Sequence, residues 1–419
     1  MEKLIAPEVP PPVQSTPKST ADGTAPITEI GPTDLLPRLK DNGYDTERVG
    51  RRRAWVEKKT GAHLPHVGGD SWDFELTRGN IENPIGVAQV PMGVAGPVLI
   101  HGQNANGLFY VPMATTEGAL IRSYERGMVA LTKSGGAQTA LLADENQTAP
   151  SFHFTDVRAA ADFPAWIESH LTELKEVVAT TTRHGQLTGL KCYQTGRQVI
   201  VNFGFRTGDA QGMNMIVRAT DAICRWVESQ YPVAGYFLFS GLCGEKRASG
   251  FLMTRGKGKR VTAGALLRHD VMKLYLHVTA DQMFRVWQST VVGNFQAGSV
   301  GYHGHAANGL TAIFIATGQD VANVVNSSCA MTVFEPHPDG LYVSTTLSAL
   351  SVATVGGGTG LPTPREALGI MGCVGSGKAA KFAEIVAATV LGGEISMGAA
   401  IASQEFVGAH ERYGRNRPT

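Results

Sequence analysis

The sequence predicts an α+β fold: a large, mainly helical domain with a smaller mixed segment set into it. Three observations carry that expectation. Residues 111–136 place Leu120, Tyr124, Gly127, Met128 and Leu131 at helical spacing. Residues 198–205 alternate as a strand between two stretches of helical spacing, 163–178 and 215–227, so the region from 149 to 240 has its own succession of elements. With 419 residues, 43% of them hydrophobic, the chain can bury a substantial core as two domains, or as one with an insertion.

Taken in order, residues 1–33 are rich in Pro, Ser and Thr with little apolar periodicity, and read as a flexible tail. Residues 34–80 form an N-terminal helical segment, suggested by Leu35, Leu36, Leu39, Trp55 and Val56; Arg51-Arg52-Arg53 reads as a solvated face. The helix after 111 has Thr115 and Thr116 to cap its start and Gly135-Gly136 to stop it, which places Glu117 in the first turn. Residues 206–215 form a glycine-bearing turn into a helix start, where backbone amides can approach phosphate. They do not match the GxGxxG dinucleotide fingerprint. Residues 283–308 carry Gly293, Ala297, Gly298, Ser299 and Gly301, small residues that permit close helix approach. Gly356-Gly357-Gly358 marks a loop where backbone comes near something.

Residues 372–379 fit GxxxxGK, but Ala379 replaces the hydroxyl that would hold magnesium and residues 365–371 read as helix, so this is a loop before the last long helix. That helix, residues 379–402, is interrupted by Lys381, Glu384 and Glu394 and reads as a small-residue packing helix rather than a membrane span. A formal net charge of +1 gives no electrostatic footprint for nucleic acid. Five cysteines in no paired spacing suit a reducing compartment, with no metal site implied. The prolines at 7 and 10–12 interrupt any secretory core, so the expected location is cytoplasmic, with no membrane partner.

Several motifs occur in one order: Glu82-Asn83-Pro84-Ile85-Gly86-Val87, residues 113–118 (MATTEG), residues 241–247 (GLCGEKR), His305-Ala306-Ala307-Asn308 followed by Gly318-Gln319-Asp320, and His410. Together, from about residue 80 onward, they resemble the catalytic domain of hydroxymethylglutaryl-CoA reductase. The resemblance implies a ferredoxin-like NADP-binding domain at 150–240, inserted into a catalytic and substrate domain made of 81–149 and 241–419. It implies a CoA thioester substrate, NADP(H) as cofactor, and at least a homodimer with the site shared between subunits. Glu117, Lys246, Asp320 and His410 would be catalytic. Lys246 would be the cation for the oxyanion, and Glu117 an acid whose protonation is set by burial, Asp320 and Lys246. His410 would be the donor to the departing thiolate.

The cofactor would be held by Thr182 and Arg183, which fall where the family places a Ser-Arg pair on the ribose phosphate, and by Asp209, Gln211, Gly212, Met213 and Asn214, with Gln211 where a methionine is usual. Glu82, Ser123, Arg126, Ser240, Arg247, His305 and Asn308 would line the substrate. The sequence departs from the family at the substrate's distal carboxylate. The family's arginine falls on Ala149 and its lysine near Ser289; the loop before Lys246 is one residue shorter, with Glu245 in place of Asp. Two enzymatic readings therefore stand, reduction of hydroxymethylglutaryl-CoA to mevalonate and reduction of another acyl thioester in a specialised pathway. A non-catalytic thioester-binding paralogue is a third.

Overall fold

The computed structural model describes residues 45–60 and 72–405, so the expectations for the tail, for residues 34–44 and for His410 lie outside the described residues. Backbone contacts divide the chain into two units. In the smaller, up to Glu75 with Ile81–Val87, helix α1 (Thr46–Thr60) carries Val49, which is buried with Phe74 and has Val87 packed alongside. The Arg53 guanidinium donates to the Ile85 carbonyl at 3.2 Å, Arg51 is exposed, and so is Glu82.

The larger unit, Leu76–Asn80 and Ala88 onward, opens with β1 (Met92–Gly102), β2 (Asn106–Ala114), α2 (Leu120–Lys133) and β3 (Ala137–Thr148). Next come β4 (Ser151–His153), α3 (Val157–Ser169), α4 (Leu171–Thr181), β5 (Gln186–Thr195), β6 (Gln198–Arg206), α5 (Met213–Gln230) and β7 (Gly235–Phe237). After α6 (Gly250–Arg255) and β8 (Gly258–Arg268), the single turn α7 (His269–Val271) runs into a π-helical turn, Met272–Leu276. The chain closes with α8 (Ala280–Ala297), α9 (Ala306–Thr317), α10 (Val324–Ser327), β9 (Ala330–His337), β10 (Gly340–Leu350), α11 (Pro362–Ile370) and α12 (Ala379–Ala402).

One ten-stranded sheet runs β7-β4-β6-β3-β8-β10-β9, with β5 on β6 and with β1 joining β2 and β3. β3 is the strand that both halves share. Its first part pairs parallel with β1 and antiparallel with β8, and its last residues, Asn146 to Thr148, pair with β6. Two hydrophobic cores flank this strand. The larger gathers α2, α9, α12 and β8 to β10; the second is made from residues between Phe152 and Val227, on α3 to α5 and β4 to β6.

Helix α2 buries Leu120, Tyr124, Gly127, Met128 and Leu131, the predicted stripe, along with Ala130. Its start differs from expectation. Ala119 is left-handed at φ 71°, so the helix begins at Leu120 and Glu117 lies in the approach; the Thr115 hydroxyl is used early, accepting from the Glu117 amide at 3.0 Å. The helical spacing of 163–178 is realised as two helices. The Ser169 hydroxyl and the His170 ring both take the Trp166 carbonyl, and the His170 amide turns to Ile167 instead, so α3 ends there.

Helix α12 is long and apolar enough to cross a membrane by length and composition, but most of it is buried in the core of this chain. It crosses α2 at glycines. A Cβ on Gly127 would fall 1.7 Å from the Gly392 carbonyl, and one on Gly393 would meet the Tyr124 ring at 2.4 Å. Buried Glu384 takes the amides of Asn104 and Ala105, the Asn104 side chain and the Thr139 hydroxyl, which fixes the β1–β2 turn. Residues 371–378 are a loop into α12, as predicted. The amides of Gly377, Lys378 and Ala379 donate to the Asp209 carboxylate at 2.7 to 3.0 Å. The glycine-rich loop does approach backbone: a Cβ on Gly318 would lie 2.4 Å from the Gly358 carbonyl. Gly293 and Gly298, expected to permit close packing, meet nothing within 4 Å inside this chain.

The α2–α12 crossing predicts a measurable asymmetry among glycines. Gly127→Ala should destabilise the protein by about 3 kcal/mol, because backbone rather than a flexible side chain must move. Gly369→Ala, on α11, where an added Cβ would make only an ordinary 3.9 Å contact with Val374, should lie within about 1 kcal/mol of wild type on the stable side. Thermal denaturation of both variants checks the difference.

Candidate active site

An open cleft of about 880 Å³ runs along α2 and the end of α12, lined by Glu117, Ser123, Arg126, His305 and Asn308 among others. Five predicted site residues therefore share one cavity. Each is placed by a specific element. Ser123 and Arg126 project from the first two turns of α2. The Ser123 hydroxyl donates to Ser396 Oγ at 3.1 Å, while Arg126 reaches the same hydroxyl at 3.0 Å, the Ser396 carbonyl at 2.6 Å and Glu405 at 3.5 Å. Burial lowers the Arg126 pKa, against the raising effect of Glu405. Glu405 is itself held below the usual carboxylate range, first by its hydrogen bond from His277 and then by the charges of His277 and Arg126.

His305 caps α9 and is oriented from below. Glu394, buried in α12, accepts from the Gly304 amide at 2.6 Å, the His305 amide at 2.8 Å and His305 Nδ1 at 3.3 Å, and the ring stacks on Tyr124 at 5.2 Å between centroids. Burial pushes the Glu394 carboxyl up. The His305 hydrogen bond and charge, the His303 charge and the Gly304 amide outweigh it and hold the group below its ordinary value. Glu394 therefore orients the imidazole as an anion.

Glu117 and Asn308 meet at the cleft mouth, where the amide nitrogen donates to Glu117 Oε1 at 3.3 Å. Glu117 is exposed in this chain, not buried as expected. Lys246 and Asp320 form a separate pair, Nζ to Oδ2 at 2.8 Å, with both side chains about half exposed. Lys246 has φ 55°, a left-handed backbone that a lysine adopts only when its surroundings impose it. The Asn326 side chain holds its amide at 3.3 Å, and Asp320 accepts from the Ala322 amide at 3.1 Å. His410 lies outside the described residues.

The predicted cofactor residues fall at one end of the sheet. Gln186 pairs with Arg206, which sets the turn carrying Thr182 and Arg183 beside the turn carrying Asp209 to Asn214. Arg183 is exposed, and the Thr182 hydroxyl accepts from the amides of His184 and Gly185. Gly212, φ 75°, starts α5 with no side-chain cap, so its first-turn amides are not taken by a side chain. Asp209 differs from expectation: its carboxylate is spent on the start of α12, and the Thr354 and Val355 amides take its carbonyl. Ser240 differs too, its hydroxyl donating to the Ala149 carbonyl at 2.7 Å; Arg247 is exposed. Glu394, Ser396 and Glu405 were missed as site residues. An acid inside an otherwise apolar small-residue helix was the available signal, because such a charge must be paired.

Fold and cleft together define an α+β protein whose open cleft is lined by acid, base and cationic side chains, Glu117, His305 and Arg126 among them. A family model described as Hydroxymethylglutaryl-coenzyme A reductase matches residues 48–415, and the chain belongs to that family. It is 44% identical over 374 residues to the 3-hydroxy-3-methylglutaryl-coenzyme A reductase of Pyrococcus abyssi, covering 87% of this chain and 92% of that protein. To the enzyme of the same name from Aeropyrum pernix it is 43% identical over 385 residues, covering 90% and 91%. Among solved structures, the class II reductase of Streptococcus pneumoniae bound to NADPH in open conformations shares the fold, with TM-score 0.64 and 19% identity over 84% of this chain and 86% of that one.

The depressed Glu394 carboxyl fixes a pH dependence. A carboxyl with a folded pKa below its unfolded value contributes stability that is complete above the unfolded value, near 4.5, and is lost as pH falls through the folded one. Glu394→Gln should cost about 3 kcal/mol at neutral pH, and the gap to wild type should narrow below pH 4.5. Urea unfolding across that range measures it.

Proposed function

We propose that this protein reduces hydroxymethylglutaryl-CoA to mevalonate in two NADPH-dependent steps. The observation that carries the reading is the cleft that brings Glu117, Arg126, His305 and Asn308 together in a chain of this family. The residues fit the cofactor: an uncapped helix start at Gly212-Met213-Asn214 suits a pyrophosphate, and exposed Arg183 suits a ribose phosphate. When bound, NADPH supplies the hydride of each step.

The chain's own residues would do the rest. Lys246, its ammonium steadied by Asp320, stabilises the oxyanion of the hemithioacetal left by the first reduction. As the C–S bond breaks, His410 gives a proton to the thiolate, whose pKa of about 8 to 9 lies above that of an imidazole. Glu117, with Asn308 donating to one oxygen, then protonates the alkoxide of the second reduction.

The segment 150–240 reads as the cofactor domain of this enzyme. Its element order β4-α3-α4-β5-β6-α5-β7, a βαββαβ pattern with the first helix split in two, its strand sequence β7-β4-β6-β5 and its antiparallel pairings support a ferredoxin-like assignment. A homodimer is supported by α8, which buries only Met283 among its 18 residues and exposes Val292 and Phe295 at 55% and 73%. Unpaired cysteines and a buried α12 support a cytoplasmic location.

A second reading is favoured by one observation. Ala149, where the family places the arginine for the distal carboxylate, is fully buried, and the Ser240 hydroxyl is committed to its carbonyl. That leaves Arg247 for the anion, and the substrate would then be an acyl thioester whose far end is neutral or differently shaped.

Glu117→Gln, Lys246→Ala and Asp320→Asn should each lower turnover about 100-fold or more while leaving the fold intact, followed by NADPH oxidation and circular dichroism. His410→Gln should lose thioester reduction yet keep reduction of the free aldehyde, in which no thiolate leaves; equal loss on both would overturn its role.

An acyl-CoA panel separates the two substrate readings. If the clamp is gone, wild type prefers neutral thioesters, and the Ala149→Arg, Ser289→Lys double variant gains on hydroxymethylglutaryl-CoA. Efficient wild-type turnover of that substrate with no gain in the variant would settle it for mevalonate.

A further inference from the structure

We propose that Lys257, buried behind the site, is a positioning residue that ties the loop bearing Lys246 to the turn that would receive the cofactor. The inference rests on the reductase reading for its kinetics but not for its geometry.

Lys257 lies between α6 and β8, flanked by Gly256 and Gly258 at φ 77° and 67°, and its side chain has no exposed surface. An ammonium so placed needs a partner for each of its three donors. It finds Asn146 Oδ1 at 2.7 Å, the Gln147 carbonyl at 3.0 Å and Glu245 Oε2 at 3.0 Å, with the Met213 sulfur at 3.7 Å. The contact with Glu245 is a charge pair rather than an aligned hydrogen bond, for Oε2 has no donor at a good angle. Two of these partners reach in opposite directions.

Glu245 immediately precedes Lys246, whose left-handed backbone has to be imposed from outside. With Glu245 held from behind by Lys257 and the Lys246 amide held by Asn326, the loop is fixed at the residue before Lys246 and at the Lys246 backbone itself. Asn146, meanwhile, donates its side-chain amide to the Gln211 carbonyl at 2.6 Å, and Gln211 closes the ring with a 3.4 Å hydrogen bond to Glu245 Oε1. Met213, touching the same ammonium, opens α5. One buried cation thus touches the residue before the oxyanion lysine, and through one side chain the turn proposed for the cofactor. Neither the ammonium nor Glu245 needs to contact substrate for this.

The test is a double-mutant cycle on Lys257→Met and Glu245→Gln in the full chain. Lys257→Met should raise KM for NADPH and lower kcat together, by about 10-fold or more each, because it leaves a carboxylate uncompensated between the two loops. Amide exchange should rise at 207–213 and 241–247 but not along α2. The double variant should recover at least about 10-fold over the product of the single losses, the mark of direct coupling. Unchanged kcat and KM in Lys257→Met, or strictly multiplicative losses, would overturn the proposal. If Lys257→Met does not fold, the double variant compared with Glu245→Gln decides: activity equal or higher supports the coupling, and lower activity refutes it. A wild-type chain inactive on every thioester would defeat the reductase reading instead, and the exchange pattern would still judge Lys257.

Discussion

The crossing of α2 and α12 is the constraint on which the cleft depends. Packed helices ordinarily stand 8 to 10 Å apart, held off by side chains; here glycine meets glycine, with no room for a single carbon between Gly127 and Gly392. That approach, and the bare backbone at Gly309 and Gly393, leave a slot for the Tyr124 ring. Its hydroxyl accepts from the Gly309 amide at 3.0 Å and donates to the His305 carbonyl at 3.3 Å, and its face supports the His305 ring. Burial, with Glu394 adding to it, pushes the phenol well above its ordinary pKa, so Tyr124 stays neutral and serves as structure. A cleft imidazole is thereby located by the absence of side chains two layers beneath it.

The same economy governs the buried charges. Glu384 stitches a hairpin turn to α12, Glu394 orients a histidine, Lys257 faces Glu245, and Lys259 meets Asp144 at 3.0 Å. Each sits in the apolar interior and each finds opposite charge or several hydrogen-bond partners, which is the condition for an ion to persist there. Asp209 extends the pattern to an element boundary, where three amides at the head of α12 are satisfied by a carboxylate from the turn after β6.

What was legible in the sequence was whatever a local pattern determines. The stripe from Leu120 to Leu131, the strand at Gln198–Arg206 and the helix at Met213–Gln230 follow from periodicity, His305 and Asn308 from their motif, and the cleft residues Ser123 and Arg126 from the family resemblance. The start of α2 was hidden because the Thr115 hydroxyl serves an amide two residues on, ahead of a left-handed Ala119. The break at His170 came from side chains competing for one carbonyl. Partners far apart in sequence were illegible in principle: nothing near Asp209 announces Gly377, and nothing near Ala149 announces Ser240.

Because β3 serves both hydrophobic cores, the segment from Ser151 to Phe237 is no detachable module. Cutting it away would strip the end of β3 of its partner and leave unpaired backbone beside Lys257. The two cores are therefore joined through one strand that pairs with β8 along most of its length and with β6 at its end. For heredity this means that the two halves cannot be exchanged piecemeal among relatives. A change in either must be tolerated by a strand that the other also owns.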